Sequence, residues 1–478
     1  MPKATPTVVL HWFRRDLRVS DNSSLLAASQ SGAPILPLYV LSDWKKDHLW
    51  TGPGRQQFLC ECLDSLAQSL DDLGSRLIIR RGNAVDAIAE LLEEAPISAL
   101  HFNLDPDPFG KKEEARLLAL CQKRGVPCHG HHDVAQHTFD ETTKSDGTAY
   151  RVYTPYSKRW LALDKRTPQP APKTLSTPQN IKSEPLPSLE SWQLNLPNQL
   201  ELLPGGEAHA KKRLKEAFSK RLPSYAQNRD HPSVPATSRL SQDLRWGTLS
   251  IRQALQQANR VIDTARAPDH RQSYHTFIKQ LAWRDFYLHL IEAYPEVLQN
   301  EFNKDYQGLP WTEPGEHFEA WKEGQTGFPI VDAGMRELKT TGFMHNRVRM
   351  IVAMFLTKDL HLDWRLGEQH FAQHLLDGEI ACNNGGWQWS AGTGADAAPY
   401  FRIQNPWTQS KRFDAQGEYI KKWVPELENV APKALHQAPD LTSGHPKSYP
   451  QPILDHSTER NKTLAIFKEH LAQVRGQV

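Results

Sequence analysis

The early part of the chain alternates two hydrophobic rhythms. Short apolar runs rich in β-branched and aromatic residues, VVLHWF from Val8, PILPLYVL from Pro34, RLIIRR from Arg76 and ALHFNL from Ala99, are separated by segments such as 56–73 and 85–94, where apolar residues recur at three- and four-residue steps. The runs predict strands and the spaced segments predict helices. Because the strands lack clean polar alternation, both of their faces are expected to be covered, the pattern of a parallel sheet wrapped by helices. This places an α/β domain at residues 1–135. From about residue 164 to 206 the chain is rich in Pro, Ser, Gln and Asn and loses its periodicity, which predicts a surface connector; the whole linker is set at 136–206. From 207 to 478 the patterns are helical, as in AHAKKRLKEAFSKRL, LSIRQALQQANRVIDTA, SYHTFIKQLAWRDFYLHLIEAY and MRELKTTGFMHNRVRMIVAMFLTKDL. The expected architecture is therefore an N-terminal α/β domain joined by a long linker to an all-α domain.

Composition narrows the function classes. At 478 residues with 39% hydrophobic content, the chain has room for two or three domains. No run of about 18 apolar residues is present, and the start MPKATPTVVLHWF has no cleavage-like site, so the expectation is a cytoplasmic, nucleoid-associated protein with no membrane partner. A formal charge of +2 permits a nucleic-acid partner without requiring one. Neither GxGxxG after the first strand nor GxxxxGK[ST] occurs, so no dinucleotide fingerprint or P-loop supports nucleotide binding in the α/β half. The five cysteines are scattered and lack CxxC spacing, as suits a reducing compartment; the tract Cys128, His129, His131, His132, Asp133, His137 could be drawn as a metal site, but consecutive histidines at a strand end more often face solvent, so no metal is expected. The unusual count is tryptophan, with 14 residues, eight of them at or after Trp283.

The segment ACNNGGWQWSAGTGADAAPY (381–400) gathers small residues, amides and two tryptophans. It predicts a loop that lets backbone approach a flat ligand closely, although a glycine-rich turn between helices would read the same way.

Taken with its surroundings, this segment becomes specific. NNGGWQWSAGTGADAAPYFRIQNP, the upstream TGFMHNRVRM and WRDFY, the TSRLS of Thr237 to Ser241, and the opening LHWFRRDLRVSDN resemble the DNA photolyase and cryptochrome family in order and spacing, over nearly the whole chain. The details are most similar to the microbial branch that repairs cyclobutane pyrimidine dimers. That resemblance implies FAD bound in the helical domain and light-driven carbon–carbon bond cleavage in damaged DNA, by a monomer. It implies cofactor contacts from Tyr225, Thr237, Ser238, Arg239, Leu240 and Ser241, the last five at a helix start suited to a pyrophosphate. Arg349 and Asp377 match an ion pair beside the isoalloxazine ring, and Asn383 the amide facing its N5. Glu379 departs from the family, which has Asp there. Trp387, Trp364 and Trp311 match a tryptophan relay from flavin to surface. Trp283 and Trp389 match the pair that stacks on a flipped dimer, Asn346 and Met350 line the same site, and Arg229 and Arg347 match DNA-contacting positions. Gln280 stands where dimer-repairing relatives carry Glu, and it also occurs in the (6-4) branch; that branch has two histidines where this chain has Asn346 and Met350. An antenna chromophore, methenyltetrahydrofolate or a deazaflavin, is implied for the N-terminal half, but TGPGRQQF, DWKKDHLW and NLDPDPFG do not discriminate between these and none. Gln280 favours the alternative of a cryptochrome-like photoreceptor without repair turnover; Asn383 and Trp389 favour repair. The iron–sulfur branch is excluded by supply, since only Cys382 lies in the C-terminal half.

Overall fold

The computed structural model describes residues 7–43, 48–439 and 444–476; Trp44–Asp47, within the DWKKDHLW segment, lie outside the described residues. Five parallel strands, β1 (Val8–Phe13), β2 (Ile35–Leu41), β3 (Ile78–Arg81), β4 (Ile97–Asn103) and β5 (Cys128–His131), form one sheet in the order β3-β2-β1-β4-β5. The helices between them are α1 (Ser23–Ser29), α2 (Pro53–Asp71), α3 (Ala84–Glu94) and α4 (Pro108–Arg124). β1 and β2 are buried along their whole length, which is why their sequences show no polar alternation. Leu10, Leu36, Leu38, Ile78, Leu100 and Phe102 form the centre of this core. β5, whose sequence is CHGH, had no apolar run to announce it: it is an edge strand, half-buried to exposed, and needs none.

Beyond the sheet come α5 (Tyr153–Ala162), inside the connector, then α6 (Glu207–Glu216), α7 (Tyr225–Asn228), α8 (Ser241–Trp246), α9 (Ile251–Thr264) and α10 (Pro268–Ala293). The remaining helices are α11 (Glu316–Glu323), α12 (Pro329–Thr341), α13 (Asn346–Met354), α14 (Trp364–His374), α15 (Ile380–Ala391), α16 (Pro406–Phe413), α17 (Glu418–Trp423) and α18 (His456–Gly476). The chain divides into two compact units. The first comprises Met1–Leu196, Leu203–Pro223 and Thr237–Pro295; the second comprises Pro197–Leu202, Ser224–Ala236 and Glu296–Val478. Helices α9 and α10 therefore belong with the sheet. No helix among the described residues is long and apolar enough to cross a membrane.

A buried ion network explains why α9 joins the first unit. Arg252 of α9 donates to Asp21 at 2.9 Å and to Asp133 at 2.6 Å, while Arg18 donates to the other Asp133 oxygen at 2.6 Å. These side chains are 1–3% exposed. Burial alone would raise the Asp133 carboxyl, but Arg18 and Arg252 outweigh it and hold it well below the usual carboxylate range. Removing one member of such a network strands its partners, so Asp133→Ala is expected to cost about 3–5 kcal/mol, read as a lowered denaturant midpoint. A folded-state pKa below the unfolded value means that this contribution is present above about pH 4 and is lost as pH falls further. Asp133 is thus already engaged, and His131 pairs with His101 at 2.9 Å. Among the described residues, no group of three or more His, Cys, Asp or Glu is arranged to hold a metal ion.

Candidate functional site

The segment expected as a loop is, in its first half, the helix α15; only the stretch after Gly392 is irregular. Two adjacent glycines in a helix cost about 1 kcal/mol each relative to alanine, so tertiary contacts must outweigh propensity here. They come from the buried face. Trp387 inserts against α14 so closely that a Cβ on Gly367 would lie 2.1 Å from the indole ring, which makes glycine obligatory at 367. The side-chain amides of Asn384 and Gln388, one turn apart, donate to the Val297 carbonyl at 3.1 and 2.8 Å, and the Gln388 side-chain oxygen Oε1 accepts from the Phe302 N–H at 2.8 Å. The opposite face carries Cys382, Asn383, Gly385, Gly386 and Trp389, all partly exposed. A Cβ on Gly386 would meet no atom within 4 Å. This face is thus accessible at Gly386, as close approach of a planar ligand requires. Asn383 is fixed on it by donating to the Glu368 carbonyl at 2.9 Å. Helix geometry also separates the two tryptophans of WQW, turning Trp387 inward and Trp389 outward.

Arg349 of α13 and Asp377, in the turn before α15, form a two-pronged ion pair at 3.1 and 2.9 Å, and Arg349 Nε also donates to the Met344 carbonyl at 2.7 Å. Glu379 is the buried residue at the start of α15, and its carbonyl accepts from the Asn383 N–H at 2.8 Å. Tyr225 begins α7; burial pushes its hydroxyl up to about 12, opposed by Arg229 four residues on. In the first unit, Thr237, Ser238, Arg239 and Leu240 lead into α8, which starts at Ser241 with no side-chain cap on its first turn. Arg239 there has φ +58°, a left-handed conformation uncommon outside glycine that tends to mark ligand sites. A chain that turns this way into an uncapped helix start fits a cofactor phosphate.

Trp364 and Trp387 are buried in one apolar cluster, with Trp311 half-buried at its margin. The Thr312 N–H bonds the His361 carbonyl at 2.8 Å, which lays the chain carrying Trp311 along the approach to α14. Trp364 donates its indole N–H to Glu301 at 3.2 Å. Trp321, which no motif marks, meets Trp387 edge-on with ring centres 6.2 Å apart.

On α10, Gln280 and Trp283 are both half-buried, and the Gln280 amide donates to the Thr276 carbonyl at 3.4 Å. Trp283 stacks on Tyr153 of α5 with ring centres 3.7 Å apart and planes 10° from parallel, and the Tyr153 hydroxyl donates to the Lys279 carbonyl at 2.6 Å. Tyr153 was missed because it lies in the connector, where neither periodicity nor motif marks it. On α13, Asn346 is exposed, Met350 is partly exposed, and Arg347 is engaged by Asp230 at 2.9 Å and packs over the Phe413 ring. Arg229 follows α7 directly, half-buried.

Residues 9–173 match the family model of DNA photolyase, and residues 277–469 match that of the FAD binding domain of DNA photolyase. A deoxyribodipyrimidine photo-lyase of Synechococcus sp. is 37% identical over 474 residues, covering 98% of this chain and 97% of its own. Among solved structures, a class III photolyase from Agrobacterium tumefaciens aligns with a TM-score of 0.90 at 35% identity, over 98% of this chain and 99% of that one. A cryptochrome from Synechocystis sp. aligns with a TM-score of 0.90 at 31% identity, over 97% of this chain and 100% of that one. Likeness of this extent runs through the sheet and the helical half alike, and by it the chain belongs to the DNA photolyase and cryptochrome family.

Proposed function

We propose that this chain is a light-driven repair enzyme that splits cyclobutane pyrimidine dimers in DNA, with FAD as its cofactor. The observation that carries the reading is the near full-length likeness to deoxyribodipyrimidine photo-lyases. Bound in its reduced form, FAD would supply light-driven one-electron chemistry for opening the cyclobutane ring, with no net change of oxidation state. The protein supplies position, stacking and charge. Tyr225 and the Thr237–Ser241 segment hold the cofactor, with backbone N–H groups at the start of α8 meeting phosphate. The Arg349 guanidinium, held by Asp377, favours negative charge beside it, and Asn383 and Glu379 offer hydrogen bonds from α15. Trp283 and Trp389 stack on the damaged bases, Gln280, Asn346 and Met350 contact them, and Arg229 and Arg347 meet phosphate. Trp387, Trp364 and Trp311 form the relay that reduces the cofactor under light. In this reading the chain is a monomer in the cytoplasm, associated with the nucleoid. Its parts are an α/β domain at 1–135 whose antenna chromophore is methenyltetrahydrofolate, a deazaflavin or none, a linker at 136–206 and a helical catalytic domain at 207–478, of which α9 and α10 lie in the compact unit of the sheet.

Two measurements test this. Denaturation of protein made in flavin-replete cells is expected to release FAD, and an oligonucleotide with one thymine dimer is expected to lose it under blue light with reduced protein and keep it in the dark. Release of FAD without dimer loss would leave a cryptochrome-like photoreceptor in its place; release of no FAD would remove the cofactor assignment itself.

A further inference from the structure

Trp364 is fully buried, yet charges surround it. Its indole N–H donates to Glu301 Oε1 at 3.2 Å, and the Arg365 guanidinium lies over its ring, 4.5 Å from the centre. Arg365 is bound in turn by Glu301 at 3.1 Å and by Asp363 at 3.0 Å. A guanidinium over an indole opposes removal of an electron from it, because the cation faces the ring's negative π-surface. The two carboxylates reverse that. With one positive and two negative groups, the set around Trp364 carries a net charge of −1. Glu301 dominates, since its side chain is 5% exposed against 30% for Asp363 and Arg365, so solvent screens it least. It is also deliberately placed: Asn384 and Gln388 of α15 hold the 297–302 segment through Val297, Asn300 and Phe302.

We propose that Glu301 is a positioning residue of the light-driven relay, its carboxylate stabilising positive charge on Trp364 against the opposing Arg365. This rests on the relay reading given above. When Trp387 has lost one electron to the light-excited oxidised flavin, one electron passes to it from Trp364. Trp387 returns to neutral, Trp364 is left as a radical cation, and no bond or proton moves. The negative charge on Glu301 makes that transfer favourable.

The test uses FAD-loaded protein and follows the yield of long-lived tryptophanyl radical after a blue flash. Trp364→Phe, Glu301→Gln and the double variant Glu301→Gln/Arg365→Gln are compared with the unmodified chain. Glutamine keeps an oxygen to accept the indole N–H but removes the charge, so the yield is expected to fall on the order of tenfold, equivalent to about 1.4 kcal/mol. The double variant returns the set to −1 through Asp363 and is expected to recover most of the yield, which loss of packing alone would not do. In the dark, the ¹⁵N-indole resonance of Trp364 is expected to shift in Glu301→Gln, a readout independent of electron transfer. An unchanged yield in Glu301→Gln, or an equal loss in the double variant, overturns the proposal. A Trp364→Phe protein with undiminished yield overturns the relay and the proposal together.

Discussion

Replacing Trp387 with phenylalanine is expected to slow the light-driven reduction of bound FAD by on the order of a hundredfold or more, the effect of raising a barrier by about 2.7 kcal/mol. Phenyl is far harder to oxidise than indole, so the first step outward from the cofactor loses its donor. The variant is expected to fold, because a smaller ring still fills part of the space against Gly367, at a cost of about 1–3 kcal/mol for the atoms removed. Flavin content is expected to stay unchanged, since Trp387 lies on the buried face of α15 and Asn383 on the accessible one. The measurement is the rate of flavin bleaching under blue light with an external thiol, normalised to bound flavin. Trp321, 6.2 Å from Trp387, supplies the internal check. Undiminished bleaching in Trp387→Phe that disappears when Trp321 is also replaced would move the relay to Trp321.

Replacing Gln280 with glutamate is expected to raise the number of dimers split per photon several-fold, with little change in dark affinity for damaged DNA. In this structure the Gln280 amide is turned back to the Thr276 carbonyl one turn earlier in α10, so it must leave that bond to meet a base. A neutral carboxamide donates a hydrogen bond but holds its proton tightly, whereas a protonated carboxyl can share its proton with an oxygen on which negative charge is growing. The gain requires the protonated acid. It is therefore expected to be present below the pKa of the introduced carboxyl and to vanish as pH rises through it, while the unmodified chain shows no such step. Fully reduced protein under saturating substrate gives the comparison. A variant that splits dimers where the natural chain splits none would make Gln280 the mark of a lost repair function, and loss of the pH step would place the effect in binding rather than in charge stabilisation.

Gln280 and Trp283, three apart on α10, and Asn346, Arg349 and Met350, three and four apart on α13, fall on shared helical faces by spacing alone, since three- and four-residue steps meet on a helix whatever surrounds it. The Arg349–Asp377 pair came from resemblance, and the two side chains do meet, 28 residues apart in the chain. Segment 381–391 was misread because its local composition, with two glycines and two asparagines, disfavours helix. The contacts that make it helical come from Gly367, Val297 and Phe302, which no window along 381–391 contains.

The sequence by itself determined the class of the fold and the family. Strands buried on both faces must be apolar throughout, helices must repeat at their own period, and both demands are written locally in side-chain type. What only the tertiary structure decided depends on residues far apart in the chain. β5 exists because β4 offers it an edge, not because CHGH favours a strand. Helix α9 joins the sheet because Arg252 reaches Asp21, 231 residues away, in a site too buried to leave either charge alone. Trp387 and Trp389 receive opposite environments from a helix that Gln388 and Asn384 anchor on one side. Glu301 meets Trp364 across 63 residues for the same reason, since a buried indole N–H needs an acceptor and the fold brings this one to it.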